Sequence, residues 1–115
     1  MHELGIAMAI LERVRREAAT HAPARATRVG VRIGELSGVD RDSLAFGFEA
    51  LVKDSALEPL ALEVEYCRRR HACRSCGAEF PVENYELNCP RCGSSDTRFA
   101  GGDELDIAYI EVEDQ

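Results

Sequence analysis

Leu60-Ala61-Leu62-Glu63-Val64-Glu65-Tyr66 runs straight into Cys67-Arg68-Arg69-Arg70, and that junction decides the fold. Up to Tyr66 the large apolar side chains fall on every second residue, with Ala61, Glu63 and Glu65 between them. This is the period of a half-buried strand. From residue 67 to residue 100 the chain is rich in Cys, Arg, Gly and Ser and poor in aliphatic side chains. Such a stretch cannot build its own apolar core and needs a metal. After Gly101-Gly102 the strand pattern returns in Leu105 and Ile107, then in Ile110 and Val112. The phase slips near Ala108-Tyr109, which predicts a bulge.

Upstream, Val29, Val31 and Ile33 alternate with Arg28, Arg32 and two glycines, predicting a strand over 27–34. Asp40 is placed to cap a helix carrying Leu44, Phe48 and Leu51 at helical spacing to about Val52. Residues 4–21 read as an amphipathic helix with Leu4, Met8, Leu11 and Val14 on its apolar stripe and Ala7 and Ala18 beside them. Arg13, Arg16 and Glu17 fall on other faces, and Pro23 ends the element. The expected fold is α+β: a small three-stranded sheet with two helices on one face, and a zinc-ribbon-like insert.

At 115 residues the chain is long enough for one domain with a small insert, and its core is small enough for a structural metal to matter. No apolar run is long enough to span a bilayer, and Glu12, Arg13 and Arg15 interrupt any secretion signal, so a cytoplasmic chain is expected. In that reducing compartment paired CxxC motifs hold metal rather than form disulfides. A formal charge of −7 weighs against nucleic acid as the main partner, although Arg68, Arg69, Arg70 and Arg74 cluster locally.

The insert carries Cys73-Arg74-Ser75-Cys76-Gly77 and Cys89-Pro90-Arg91-Cys92-Gly93. Four thiolates at this spacing can close a tetrahedron around zinc, leaving no open position for catalysis. Gly77 and Gly93 follow each pair, where a knuckle turn favours positive φ. A redox CxxC would need a strand-to-helix junction, which Cys73 lacks. An iron–sulfur site is less suited to such knuckles. Cys67 continues the apolar strand and reads as a reduced core cysteine. His71, two residues before Cys73, is a donor that could replace a cysteine.

The chain begins Met1-His2-Glu3. A bulky second residue leaves the initiator in place, so the Met1 amine, the His2 amide and the His2 imidazole can chelate one ion in fused rings. Glu3 can add its amide or its carboxylate. Nitrogen donors in a square plane suit Ni(II) or Cu(II), and binding should weaken below neutrality because the donors must lose protons. The plainer readings are a frayed His2, a Glu3 that only complements the helix dipole, and His21 as a helix C-terminal cation.

The opening Met1-His2-Glu3-Leu4-Gly5-Ile6-Ala7, the segment Val31-Arg32-Ile33-Gly34-Glu35-Leu36, both knuckles with Ser94, and the closing Gly102-Asp103-Glu104-Leu105 with Ile110-Glu111-Val112-Glu113 together resemble the HypA/HybF family. These are nickel-incorporation accessory proteins for [NiFe]-hydrogenase maturation. The resemblance spans nearly the whole chain. It implies a metallochaperone and not an enzyme, with transient Ni(II) bound at His2, and Glu3 needed for delivery or docking, which falls on the Met1, His2 and Glu3 donor set above, and with structural zinc at Cys73, Cys76, Cys89 and Cys92. It implies a HypB-type nickel GTPase and the hydrogenase large-subunit precursor as partners, with urease and its accessory proteins served by some members. The expected division is a discontinuous nickel-binding domain, 1–66 and 101–115, and a zinc-binding domain, 67–100. Three rivals are a nucleic-acid-binding ribbon, which the acidity opposes, a metal hydrolase, which lacks an open zinc position, and a zinc-stabilised adaptor, which binds no nickel.

Overall fold

The computed structural model describes residues 2–114. In chain order the elements are α1 (Glu3–Thr20), β1 (Arg25–Gly34), a 3₁₀ turn (Glu35–Ser37), α2 (Arg41–Val52), β2 (Ala61–Cys67), β3 (Arg70–Cys73), β4 (Glu79–Pro81), β5 (Thr97–Gly101) and β6 (Leu105–Glu113). They form two three-stranded sheets, β2-β1-β6 and β4-β3-β5. The chain divides into two compact units, one within 1–32, 38–65 and 106–115 and the other within 33–37 and 66–105. Two helices and small sheets make this an α+β fold.

In the first unit the buried residues of α1 are Ala7, Ile10, Leu11 and Val14. The apolar stripe is therefore turned from the expected one. Ile10 is inside, while Leu4 and Met8 are 54% and 56% exposed. Both stripes satisfy a 3.6-residue period, and packing chooses between them. Leu4 instead lies against α2, where a Cβ at buried Gly47 would sit 3.5 Å from its Cδ1. On α2, Leu44 and Phe48 are fully buried, and each contributes about 1.5–3 kcal/mol by leaving water. Asp40 caps the helix as expected, accepting from the N–H groups of Asp42 (3.0 Å) and Ser43 (3.3 Å).

Val29 and Val31 of β1 are buried and Arg28 and Arg32 are exposed, as the alternation requires. Arg32 makes a bidentate pair with Asp106 of β6 at 2.8 and 3.0 Å. Gly30 lies on that same outer face, and the Tyr109 ring occupies the space its Cβ would need. Tyr109 and Ile110 are both half-buried, so the alternation along β6 changes phase beside Ala108-Tyr109. Tyr66, expected to follow the inward phase of β2, is 41% exposed.

The second unit holds a sheet of its own, absent from the sequence reading. β3 pairs antiparallel with β4 (His71↔Phe80) and with β5 (His71↔Phe99, Cys73↔Thr97). The stretch also has a core, contrary to expectation, although sulfur supplies much of it: Phe80 packs with Cys73, Cys89 and half-buried Ala78. Arg70 braces the sheet, donating to Glu79 (2.9 Å) and Glu104 (3.2 Å). The N–H groups of Glu104 and Gly102, together with the Arg70 guanidinium, hold the Glu104 carboxyl below the usual carboxylate range.

Candidate metal centre

Each CxxC folds as a tight knuckle because the residue after it supplies the left-handed backbone the turn needs. Gly77 has φ +79 and Gly93 has φ +77. Their N–H groups return to the carbonyls of Cys73 (3.0 Å) and Cys89 (2.8 Å). This closure points both side chains of a pair the same way. Between the knuckles, the hydroxyls of Ser75 and Ser94 meet at 3.1 Å, and Cys89 N–H donates to the Ser94 carbonyl at 2.9 Å.

The result is convergence of all four sulfurs. Cys73 and Cys92 are 3.6 Å apart, Cys76 and Cys89 also 3.6 Å, and the four Sγ atoms lie within 4.8 Å of one another. A tetrahedron with metal–sulfur bonds of about 2.3 Å has edges of about 3.8 Å. The donor set therefore has the size and chemistry of a closed tetrathiolate site. Cys73 and Cys89 are buried, and Cys76 and Cys92 are exposed.

The thiols are electrostatically unequal. Cys73 is pulled down to about 6, chiefly by the Cys76 N–H, which lies 3.4 Å from its sulfur, with further help from Ser75 N–H against the effect of burial. Cys89 is lowered likewise by the Cys92 N–H. At Cys92 the Ser94 N–H favours the thiolate, but Cys73, desolvation and the other two thiols outweigh it and push the group up to about 11. Ligation must remove that proton, so loading a divalent ion at neutral pH is expected to release about one or more protons per chain, with affinity falling as pH falls. Calorimetry in two buffers of different ionisation enthalpy reads the number. A heat independent of buffer would refute it.

His71 does not join the sulfurs. It is buried between Phe80 and Phe99, with ring centroids at 6.4 and 6.1 Å. Thr97 Oγ1 donates to the Leu87 carbonyl (2.8 Å), so it accepts from His71 Nδ1–H at 3.2 Å. The Nε2 lone pair is then left without a partner among the described residues. Burial, aided by the Arg69 charge, lowers the pKa of His71, in keeping with a neutral core histidine. Cys67 ends β2 half-buried, outside the sulfur cluster.

At the N-terminus, Met1 lies outside the described residues. His2 is exposed, with extended backbone (φ −88, ψ 112), and its side chain makes no capping bond, although its carbonyl accepts from Ile6 N–H at 3.1 Å. Glu3 opens α1, and its Oε2 is shielded from solvent without a hydrogen-bond partner among the described residues. The sequence reading gave Ser75, Ser94 and Thr97 no role of their own. A serine two residues after Cys73 and another two after Cys92 is the signal available for the first two.

The sequence model of a family described as "Hydrogenase/urease nickel incorporation, metallochaperone, hypA" matches residues 1–112. A hydrogenase maturation factor HypA from Geobacter metallireducens is 40% identical over 113 residues, covering 98% of this chain and 100% of the relative. One from Roseiflexus sp. is 37% identical over 115 residues, covering 99% of this chain and 94% of the relative. Among solved structures, the solution structure of the Ni metallochaperone HypA from Helicobacter pylori matches with a TM-score of 0.63 at 22% identity, covering 96% of this chain and 97% of that one. A second solution structure of a HypA protein gives 0.69 at 22% identity, covering 98% and 97%. A match running from the first residue to within a few of the last leaves one conclusion: the chain belongs to the HypA family of nickel metallochaperones for hydrogenase maturation.

Proposed function

We propose that this protein carries Ni(II) at its N-terminus and, with a HypB-type GTPase, hands it to the [NiFe]-hydrogenase large-subunit precursor, with urease as a second client. The observation that carries this reading is membership of a nickel-incorporation family over residues 1–112 in a chain that begins Met1-His2-Glu3. The donors are the Met1 amine, the His2 amide and imidazole, and Glu3. An exposed imidazole without a capping role is free to bind, and the shielded Glu3 oxygen, without a hydrogen-bond partner among the described residues, supports a ligand there.

The discontinuous domain, 1–66 and 101–115, presents this terminus, while 67–100 holds structural zinc at Cys73, Cys76, Cys89 and Cys92. Four thiolates leave no position for substrate or water, so the zinc fixes shape and does no chemistry. A nickel site open to solvent exchanges ligands quickly, which delivery requires. The protein works in the cytoplasm as a carrier.

The test is a Ni(II) titration of zinc-loaded protein with a native, untagged N-terminus, beside His2→Ala. One nickel per chain, lost in the variant while zinc stays, is the expected outcome. Equal binding by both proteins would remove the terminus as the site.

A further inference from the structure

Between the two knuckles the chain departs from its own local optimum. Glu83–Glu86 closes a tight hairpin turn, with Glu86 N–H donating to the Glu83 carbonyl at 2.9 Å. Its central residues, Asn84 and Tyr85, have φ of 52 and 61. Two successive left-handed residues make a type I′ turn, for which Asn-Gly is the favoured pair. Asn84 fits the first position. An aromatic residue at the second is disfavoured by its Cβ. Tyr85 gains no packing in exchange, since it is 89% exposed, the highest value among the large exposed apolar and aromatic side chains of the described residues.

The surroundings suit a bound segment. An open pocket of about 400 Å³ is lined on its apolar side by Phe80, Pro81 and Pro90 and on its polar side by Glu83, Asn84 and Glu86, the last two flanking Tyr85. Residues 75–90 contain Glu79, Glu83 and Glu86 and no Lys, Arg or His. Glu79 and Glu83 pair with Arg70 (2.9 Å) and Arg68 (3.4 Å), whereas Glu86 has no ion pair among the described residues. The loop is held from below, where Thr97 Oγ1 donates to the Leu87 carbonyl and Cys89 N–H to the Ser94 carbonyl.

We propose that Tyr85 and this pocket form a docking site for a segment of a partner protein in which a Lys or Arg adjoins aliphatic residues. The aliphatic side chain sits against Tyr85, Phe80 and the two prolines, and the cation meets Glu86. A tyrosine is well suited to this, offering a large amphipathic surface with only two side-chain torsions to fix. The site is independent of the nickel reading.

The probe is acetyl-Gly-Leu-Lys-Ile-Arg-Gly-amide, titrated into the metal-loaded full chain and followed by amide NMR shifts, beside a twin with Glu replacing Lys and Arg. Saturable shifts at Phe80, Asn84 and Glu86 are expected for the basic peptide alone, weakening as salt rises. Tyr85→Gly is expected to weaken binding about tenfold or more while its Tm is unchanged or raised by about 2–5 °C, because glycine relieves the turn. No shifts at millimolar peptide, or equal shifts from both peptides, would overturn the proposal. So would a lowered Tm for Tyr85→Gly, which makes the ring structural. Shifts at these residues on concentrating the protein without peptide would put a second copy there instead.

Discussion

Stripping the ion proposed at Cys73, Cys76, Cys89 and Cys92 is expected to unfold residues 66–105 and leave α1 and α2 folded. The reason is the smallness of what else holds that stretch. Phe80 and Val82 are its large buried aliphatic or aromatic residues, and burying each contributes only about 1.5–3 kcal/mol. The core around Phe80 is completed by two of the ligands themselves, Cys73 and Cys89. A structural zinc in a small module supplies on the order of 10–16 kcal/mol at neutral pH, which dominates either contact. The first unit has Leu11, Val14, Val29, Leu44 and Phe48 in its core, apolar burial that removing the ion leaves in place. Hydrogen exchange read by peptide mass spectrometry, with and without a chelator, separates the two. Loss of protection should cover 66–105 and spare 3–20 and 41–52, and Cys89→Ser should reproduce the pattern. Protection that survives chelation would show that the insert folds on its own contacts.

Gly102→Ala is expected to destabilise the metal-loaded protein by about 3 kcal/mol or more. Two effects add at this position. Its φ of +123 is a conformation that side chains rarely adopt, a strain of order 1–3 kcal/mol. A Cβ there would also stand 2.5 Å from Arg69 Cα and 2.9 Å from Arg69 N, and overpacking against backbone typically adds about 1–3 kcal/mol. The residue has little freedom to move away. Its N–H donates to Glu104 Oε1 at 2.8 Å, and its carbonyl accepts from Leu36 N–H at 2.7 Å. Gly77 and Gly93 provide the control, because their φ is also positive but nothing lies within 4 Å of a Cβ. Alanine at either should lower stability by only about 1 kcal/mol. Urea midpoints of the three variants decide the matter. If Gly102→Ala is no worse than Gly77→Ala, the Arg69 backbone yields, and the close approach carries no weight.

Much of this was legible from residue types alone. Asp40 ahead of Leu44 and Phe48 announces α2, since a carboxylate cap and a helical apolar period are local signals. The alternation of Val29, Val31 and Ile33 announces β1 for the same reason. The sulfur cluster was legible because a CxxC turn followed by glycine dictates its own geometry. Readings that depend on tertiary choice fared less well. Leu4 and Met8 satisfy a helical stripe as well as Ile10 does, and only the packing of α1 on α2 selects between them. The insert's sheet was not visible because β3, β4 and β5 are short and largely polar, so no period develops within them. Nothing beside Tyr85 in the chain marks its turn, because Asn-Tyr is a poor match to the type I′ preference.

The strand order β2-β1-β6 has a consequence for how the chain is made. Translation delivers β1 and β2 early, then all four thiols, and β6 last. Until residues 105–113 leave the ribosome, the middle strand keeps one open edge, the kind of surface that invites wrong pairing. The ion can be captured in that interval, while the sheet is still incomplete. A nascent chain that has bound it brings β6 home from a folded module. One starved of it must close the same gap across a slack loop of nearly forty residues, at an entropic cost of about 3 kcal/mol. An ion bound in that interval lowers the loop-closure cost of docking β6, and so shortens the exposure of an unfinished sheet.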